Sequence, residues 1–187
     1  MLFLRRFNTN IDPSFNPFKA CFNMTGNVAL RNVQYKILHN TYPTLKHLFL
    51  WRIKQSPNCT ACNIPETTIH AIWDCTIAQT SINNMQQVYR TLTGIDSYII
   101  NKEEFIYGYR NDKALNTIFT LIKKRLILQR EEKLILTNGD IISIIKDEMA
   151  VEKYISTKNK SINGFNKKWC KFFGLKSGFM LFKSVLM

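Results

Sequence analysis

The sequence has no run approaching the roughly 18 apolar residues that span a bilayer. Its apolar end, residues 178–187, is short and interrupted by Lys183. The opening Met1-Leu2-Phe3-Leu4 meets Arg5 and Arg6 too soon to form the apolar centre of an export signal. These absences predict an intracellular chain, nuclear or cytoplasmic, with no membrane partner. Adjacent aspartates are absent, and with them the paired carboxylates that hold two Mg²⁺ ions for phosphoryl transfer. The acidic pairs present, Glu103-Glu104, Glu131-Glu132 and Asp147-Glu148, fall where helices or loops should face water. Beyond Glu152 there is no carboxylate at all.

What remains is basic and apolar. Apolar residues make up 45% of the 187, enough for a buried core and too many for wholesale disorder. The formal charge is +13, and it is unevenly spread. Residues 1–55 hold eight Lys/Arg against Asp12 alone, the middle is nearly balanced, and residues 153–187 hold eight lysines. Positive ends suit a polyanionic partner, because cations beside phosphates release condensed counterions on binding. Five cysteines without an export signal argue for reduced thiols and metal binding over disulfides.

The spacing predicts a mainly α chain. Residues 1–27, with Pro13 and Pro17 as breakers, read as an irregular lead-in. Leu30, Val33, Ile37 and Leu38 form a helical stripe within 28–40, and Leu45, Leu48, Phe49 and Ile53 make a second short helix after Pro43. From Glu66 to about Thr93 the spacing is helical again, with a break near Cys75 and Gly94 as the C-terminal cap. Phe105-Ile106-Tyr107 is ambiguous and compatible with a short strand. Asp112 caps a long helix, and Asp140 caps another after an Asn138-Gly139 turn. Ser161 opens a last helix with Phe165, Trp169 and Phe172, closed by Gly174. Residues 95–174 thus form a helical basic tail region, and 175–187 a C-terminal tail.

Cys59-Thr60-Ala61-Cys62 is followed by His70 and Cys75. Two thiolates separated by two residues turn around one tetrahedral ion, and the next segment supplies two more donors if it folds back. Five residues along an ideal helix differ by about 140° in azimuth, so the backbone must bend between His70 and Cys75. Four protein ligands leave no position for a water, which makes a Zn²⁺ here structural. The bland reading is a set of buried thiols and a core histidine. Cys21, Cys170, His39 and His47 have no partner at ligand spacing, and Trp73 is expected to pack against the metal loop.

Lys123, Lys124, Arg125, Arg130 and Lys133 cluster along the long helix beside Glu131 and Glu132, as a salt-bridge-laced solvated face would. Later lysines interleave with Phe165, Trp169 and Phe172 without nearby acidic partners except Glu152. There the rings read as a core stripe and the lysines as the contact. Candidate phosphate contacts are Lys123, Lys124, Arg130, Lys160, Lys167, Lys168 and Lys171.

Leu38-His39-Asn40-Thr41-Tyr42-Pro43-Thr44, then Cys59-Thr60-Ala61-Cys62, then Glu66-Thr67-Thr68-Ile69-His70-Ala71-Ile72-Trp73-Asp74-Cys75 resemble the C-terminal zinc-binding segment of LINE-type (non-LTR) retrotransposon reverse transcriptases. Leu115-Asn116-Thr117, Glu152-Lys153-Tyr154 and Phe165-Asn166-Lys167-Lys168-Trp169 are similar to the tail that ends many such polymerases. The resemblance covers roughly residues 28–173 and is specific in the zinc block. It implies a reverse-transcriptase-type CCHC zinc-binding domain at 28–94, with Cys59, Cys62, His70 and Cys75 as ligands. It further implies a fragment that helps hold element RNA or target DNA, beside other parts of a retrotransposon ribonucleoprotein. The palm's aromatic-x-Asp-Asp motif is missing, so the isolated chain is expected not to be an enzyme. The alternatives are a protein-interaction zinc module, or part of an RNA-directed DNA polymerase whose catalytic part lies elsewhere.

Overall fold

The computed structural model describes residues 15–108 and 112–173. Its elements are helices: α1 (Pro17–Asn23), α2 (Val28–Leu38), α3 (Leu45–Leu50), a π-helical turn (His70–Asp74), α4 (Thr76–Thr93), α5 (Lys102–Tyr107), α6 (Lys113–Leu128), α7 (Asn138–Lys158) and α8 (Ile162–Phe173). Among the described residues there is no strand, only an isolated bridge between Asn58 and Pro65. The mainly α class follows. No helix among these residues is long and apolar enough to cross a membrane.

Short polar side chains start the helices by accepting orphan amide protons of the first turn. Asn27 takes the Leu30 amide for α2, Asp112 that of Leu115 for α6, and Thr44 that of His47 for α3. Three starts depart from the sequence reading. The lead-in contains α1, with Asn16 accepting from the Phe18 and Lys19 amides and Pro17 at the first helical position. Proline lacks a donor that would be orphaned there anyway, so it opens this helix instead of breaking the chain. Phe105-Ile106-Tyr107 closes α5, whose Asn101 cap and acidic first turn outweigh the strand-like run. For α7 the cap is Thr137; Asp140 sits three residues inside and returns the bond, a reciprocal capping box.

At the centre lies α6, packed against α1, α2, α5, the π-turn, α7 and α8. Because neighbours surround it, its polar positions are interior too: Asn116, Thr117, Thr120 and Lys123 are buried beside Leu115, Ile118, Phe119 and Ile122. The threonines return their hydroxyls to carbonyls one turn back, Thr117 to Lys113 and Thr120 to Asn116. One core cluster runs from Cys21 to Phe172, with members on both sides of residue 94. Trp169 is fully enclosed and lies 5.5 Å from Phe172. The helix-closing position Gly174, and the tail from 175 on, lie outside the described residues.

Candidate metal centre

The segment 57–75 has little regular structure, and its backbone bonds close it into a loop. The Asn63 amide donates to the Cys59 carbonyl and the Cys59 amide to the Ile64 carbonyl, both at 2.8 Å. Asn63, at φ 56°, takes the left-handed conformation this reversal needs. The Glu66 amide then reaches the Pro57 carbonyl at 2.8 Å and seals the neck. Cys59 and Cys62 thus sit on one tight turn.

The return strand of the loop contains the bend that the His70–Cys75 spacing demands. The Cys75 amide donates to the His70 carbonyl at 2.9 Å, a bond spanning five residues, which is a π-turn. Cys75 then leaves helical geometry (φ −69°, ψ 139°) before α4 begins. An ideal α-helix would have set the two side chains about 140° apart. The wider turn brings them to one side.

All four donor atoms, three sulfurs and an imidazole nitrogen, lie within 4.8 Å of one another. The Cys59 and Cys75 sulfurs are 3.8 Å apart, those of Cys62 and Cys75 3.7 Å. A disulfide would need about 2.05 Å. Sulfurs bound at about 2.3 Å around a tetrahedral ion stand about 3.8 Å apart. Neither ring nitrogen of His70 has a hydrogen-bond partner among the described residues, although both are enclosed. Enclosed polar atoms are otherwise almost always paired, and a metal ligand is one reason for an exception. All three cysteines are free. Together these residues form a group able to hold a metal ion.

Electrostatics separate the thiols. Burial pushes Cys75 up to about 11, against the pull of the Ala78 and Ile77 amides at the start of α4. Cys62, nearer the surface, is lowered, chiefly by the Thr76 amide. A divalent ion displaces such protons, so ligand burial couples metal binding to folding.

The loop is fastened to the helical body by polar groups. Glu66, buried, accepts the Leu45 amide at 2.8 Å and pairs with Arg130 at 3.4 Å. Thr68 donates to Asn40 at 2.7 Å, Thr60 to the Arg130 carbonyl at 3.3 Å, and Lys102 meets Asp74 at 2.6 Å. The anchoring role of Glu66 was not read from the sequence; only its adjacency to Thr67 and Thr68 marked it. Trp73 packs its ring on Phe105 at 5.5 Å between centroids, joining the loop to α5.

Of the seven cationic candidates, four are engaged by other groups of the protein. Lys123 is a correction: it is 1% exposed, and its ammonium donates to Gln34 and to the Phe105 and Ile106 carbonyls that end α5. It cannot reach a phosphate. Lys168 is a second correction, buried and paired with Glu152 at 2.6 Å while donating to the Met24 carbonyl and Thr117. Lys171 pairs with Asp112 and Arg130 with Glu66, so both are already engaged. Moreover α6 ends at Leu128, which leaves Arg130 and Lys133 on the following turn and not on the helix. Lys160 and Lys167 are exposed, Lys124 half-buried, and none of the three has an ion pair among the described residues. Set against protein-family models, curated proteins and solved structures, the chain matches none of them.

Proposed function

We propose that this chain is a non-catalytic, zinc-stabilised module that binds nucleic acid, of the kind its resemblance to the C-terminal segment of LINE-type reverse transcriptases implies. On this reading it holds element RNA or target DNA while the chemistry is done elsewhere. The observation that carries the proposal is the convergence of three sulfurs and an imidazole nitrogen within 4.8 Å of one another, with two sulfur pairs at 3.7 and 3.8 Å. A thiolate-rich set of that geometry favours zinc over hard cations, which prefer oxygen. With all four positions filled by protein the ion would shape the loop and not activate water.

The nucleic-acid part of the proposal rests on charge. The chain carries +13, and Lys124, Lys160 and Lys167 are available for phosphates. Purified protein should contain one zinc per chain, and binding to single-stranded RNA should weaken with salt. Six phosphate contacts give a log–log slope of about −4. A flat salt dependence would remove the nucleic acid from the proposal, and a metal-free folded protein would remove the zinc.

A second reading, a docking module for another polypeptide, is favoured by the apolar stretch at the end of α3. Leu50, Trp51 and Ile53 stand 64%, 55% and 64% exposed. Capture of a polypeptide that survives high salt and nuclease treatment would favour it.

A further inference from the structure

The metal centre does not account for the surface of α1 and α2. From Pro13 to Pro65 the sequence contains no carboxylate, while Lys19, Arg31, Lys36, Lys46, Arg52 and Lys54 fall within it. Two hollows lie along α2 and share Asn32 as a common wall. One, of about 440 Å³, is lined by Phe22, Val28, Ala29, Arg31, Asn32 and Tyr35. The other, of about 320 Å³, extends from Lys36 to Tyr42, Pro43 and Arg130. No acidic side chain lines either.

The rings here face outward. Tyr35 lies 4.3 Å from His39, 6.1 Å from Phe22 and 6.4 Å from Phe18 between centroids, at the middle of a four-ring cluster. Phe22, Tyr35 and His39 are all exposed. Beside them, the Nε of Arg31 is enclosed and has no hydrogen-bond partner among the described residues. That atom is closed to a ligand, so a phosphate would meet the outer nitrogens of this half-buried arginine.

We propose that this face of α2 is a binding track for single-stranded nucleic acid. Unpaired bases stack on Tyr35 and Phe22, and the backbone phosphates meet Arg31 and Lys36. The proposal rests on the nucleic-acid reading above and adds the place and the strand form. Exposed rings flanked by cations suit unpaired bases, whose faces are open; a duplex offers phosphates and base edges only. An acidic lining would repel the backbone, and here it is missing. Arg130 closes the far hollow, but its pairing with Glu66 keeps it as a wall.

The test uses the full, zinc-loaded chain and fluorescence anisotropy with a labelled 12-nucleotide oligo(U), beside a 12-base-pair duplex. Removing both rings (Phe22→Ala with Tyr35→Ala) should weaken oligo(U) binding roughly ten-fold or more and leave duplex binding unchanged. Replacing both cations (Arg31→Gln with Lys36→Gln) should flatten the log–log salt slope by about 1.4. Tyr35→Leu, which keeps apolar bulk but loses the ring, serves where the double variant fails to fold; it too should weaken oligo(U) alone. If oligo(U) binds wild type well and all three variants equally well, the track is overturned while the nucleic-acid reading stands. If wild type binds neither oligo(U) nor duplex, both fail together.

Discussion

The metal loop and the helical body exclude water from their polar atoms by opposite means. In the body, burial of Phe119, Ile122, Met149 and Trp169 supplies the driving force, and most enclosed polar groups have partners, the Arg31 Nε being an exception among the described residues. Glu152 is such a case, accepting from Lys168 at 2.6 Å and from the Trp169 indole at 2.7 Å. The loop lends Ala71, Ile72 and Trp73 to the core, but at its own centre stand two enclosed nitrogens with no partner among the described residues. One region is held by area, the other by convergence on a point. The body should therefore survive the loss of an ion, and the loop should not.

Chelation, or Cys75→Ser, sets that contrast its hardest test. On the zinc reading, the ion contributes an apparent binding free energy on the order of the 10–16 kcal/mol seen in small peptides, more than the loop's polar fastenings supply. Zinc stoichiometry should fall from one to none. Amides of residues 58–75 should then exchange rapidly with solvent, while those of α6 and α8 keep their protection. Hydrogen exchange by mass spectrometry reads both at once. Collapse of protection throughout the chain would break the comparison, because the loop would then be a keystone and not an appendage.

The converse change is Trp169→Ala. It empties a fully enclosed site and strips Glu152 of a donor, so the expected loss is about 3–5 kcal/mol in chemical denaturation. At temperatures where the variant is folded it should still hold one zinc, since no ligand comes from α8. Loss of metal from folded variant would show that the two regions share their stability.

Legibility in the sequence divides along a similar line. The ligands lie within a 17-residue stretch, so spacing alone named Cys59, Cys62, His70 and Cys75, and helix geometry required the bend now seen as the π-turn. The start of α6 was readable because Asp112 stands beside the periodic residues it caps, and that of α2 from the apolar spacing that begins near Val28. Asn16-Pro17 carries the same kind of signal but also reads as a breaker, since only the following turn tells whether proline opens or ends a helix. The lysines could not be assigned this way. Lys168 finds Glu152 16 residues away and Lys171 finds Asp112 59 residues away, contacts made by packing and not by local spacing. Lys123 was not legible because α6 is enclosed from Ala114 to Lys123, where its polar positions no longer mark the solvent.

That enclosed lysine sharpens the comparison at its finest scale, for it is the body's counterpart to the loop's buried thiols. A metal neutralises thiols; Lys123 has only the oxygens of Gln34, Phe105 and Ile106, and burial pushes it down to about 7 from 10.5. The unfolded chain then binds a proton that the folded chain releases, throughout the interval between those values. Stability must rise with pH across that interval, because the unfolded state is the one that holds more protons. From pH 7 to pH 9 the gain is about 2 kcal/mol. Cys21, raised by burial, contributes with the opposite sign only as its ordinary value of 9.0 is approached, which sets the upper limit of the window. Lys123→Met removes the donor to the Phe105 carbonyl, while Ile106 keeps that of Gln34; the variant is less stable throughout, but its slope should lack this component. Denaturation of zinc-loaded wild type and variant at pH 7 and 9 isolates it, since the pH dependence of metal binding cancels between the two. Parallel lines would mean that three oxygen acceptors suffice to keep the ammonium charged, and that the body buries charge as completely as the loop does.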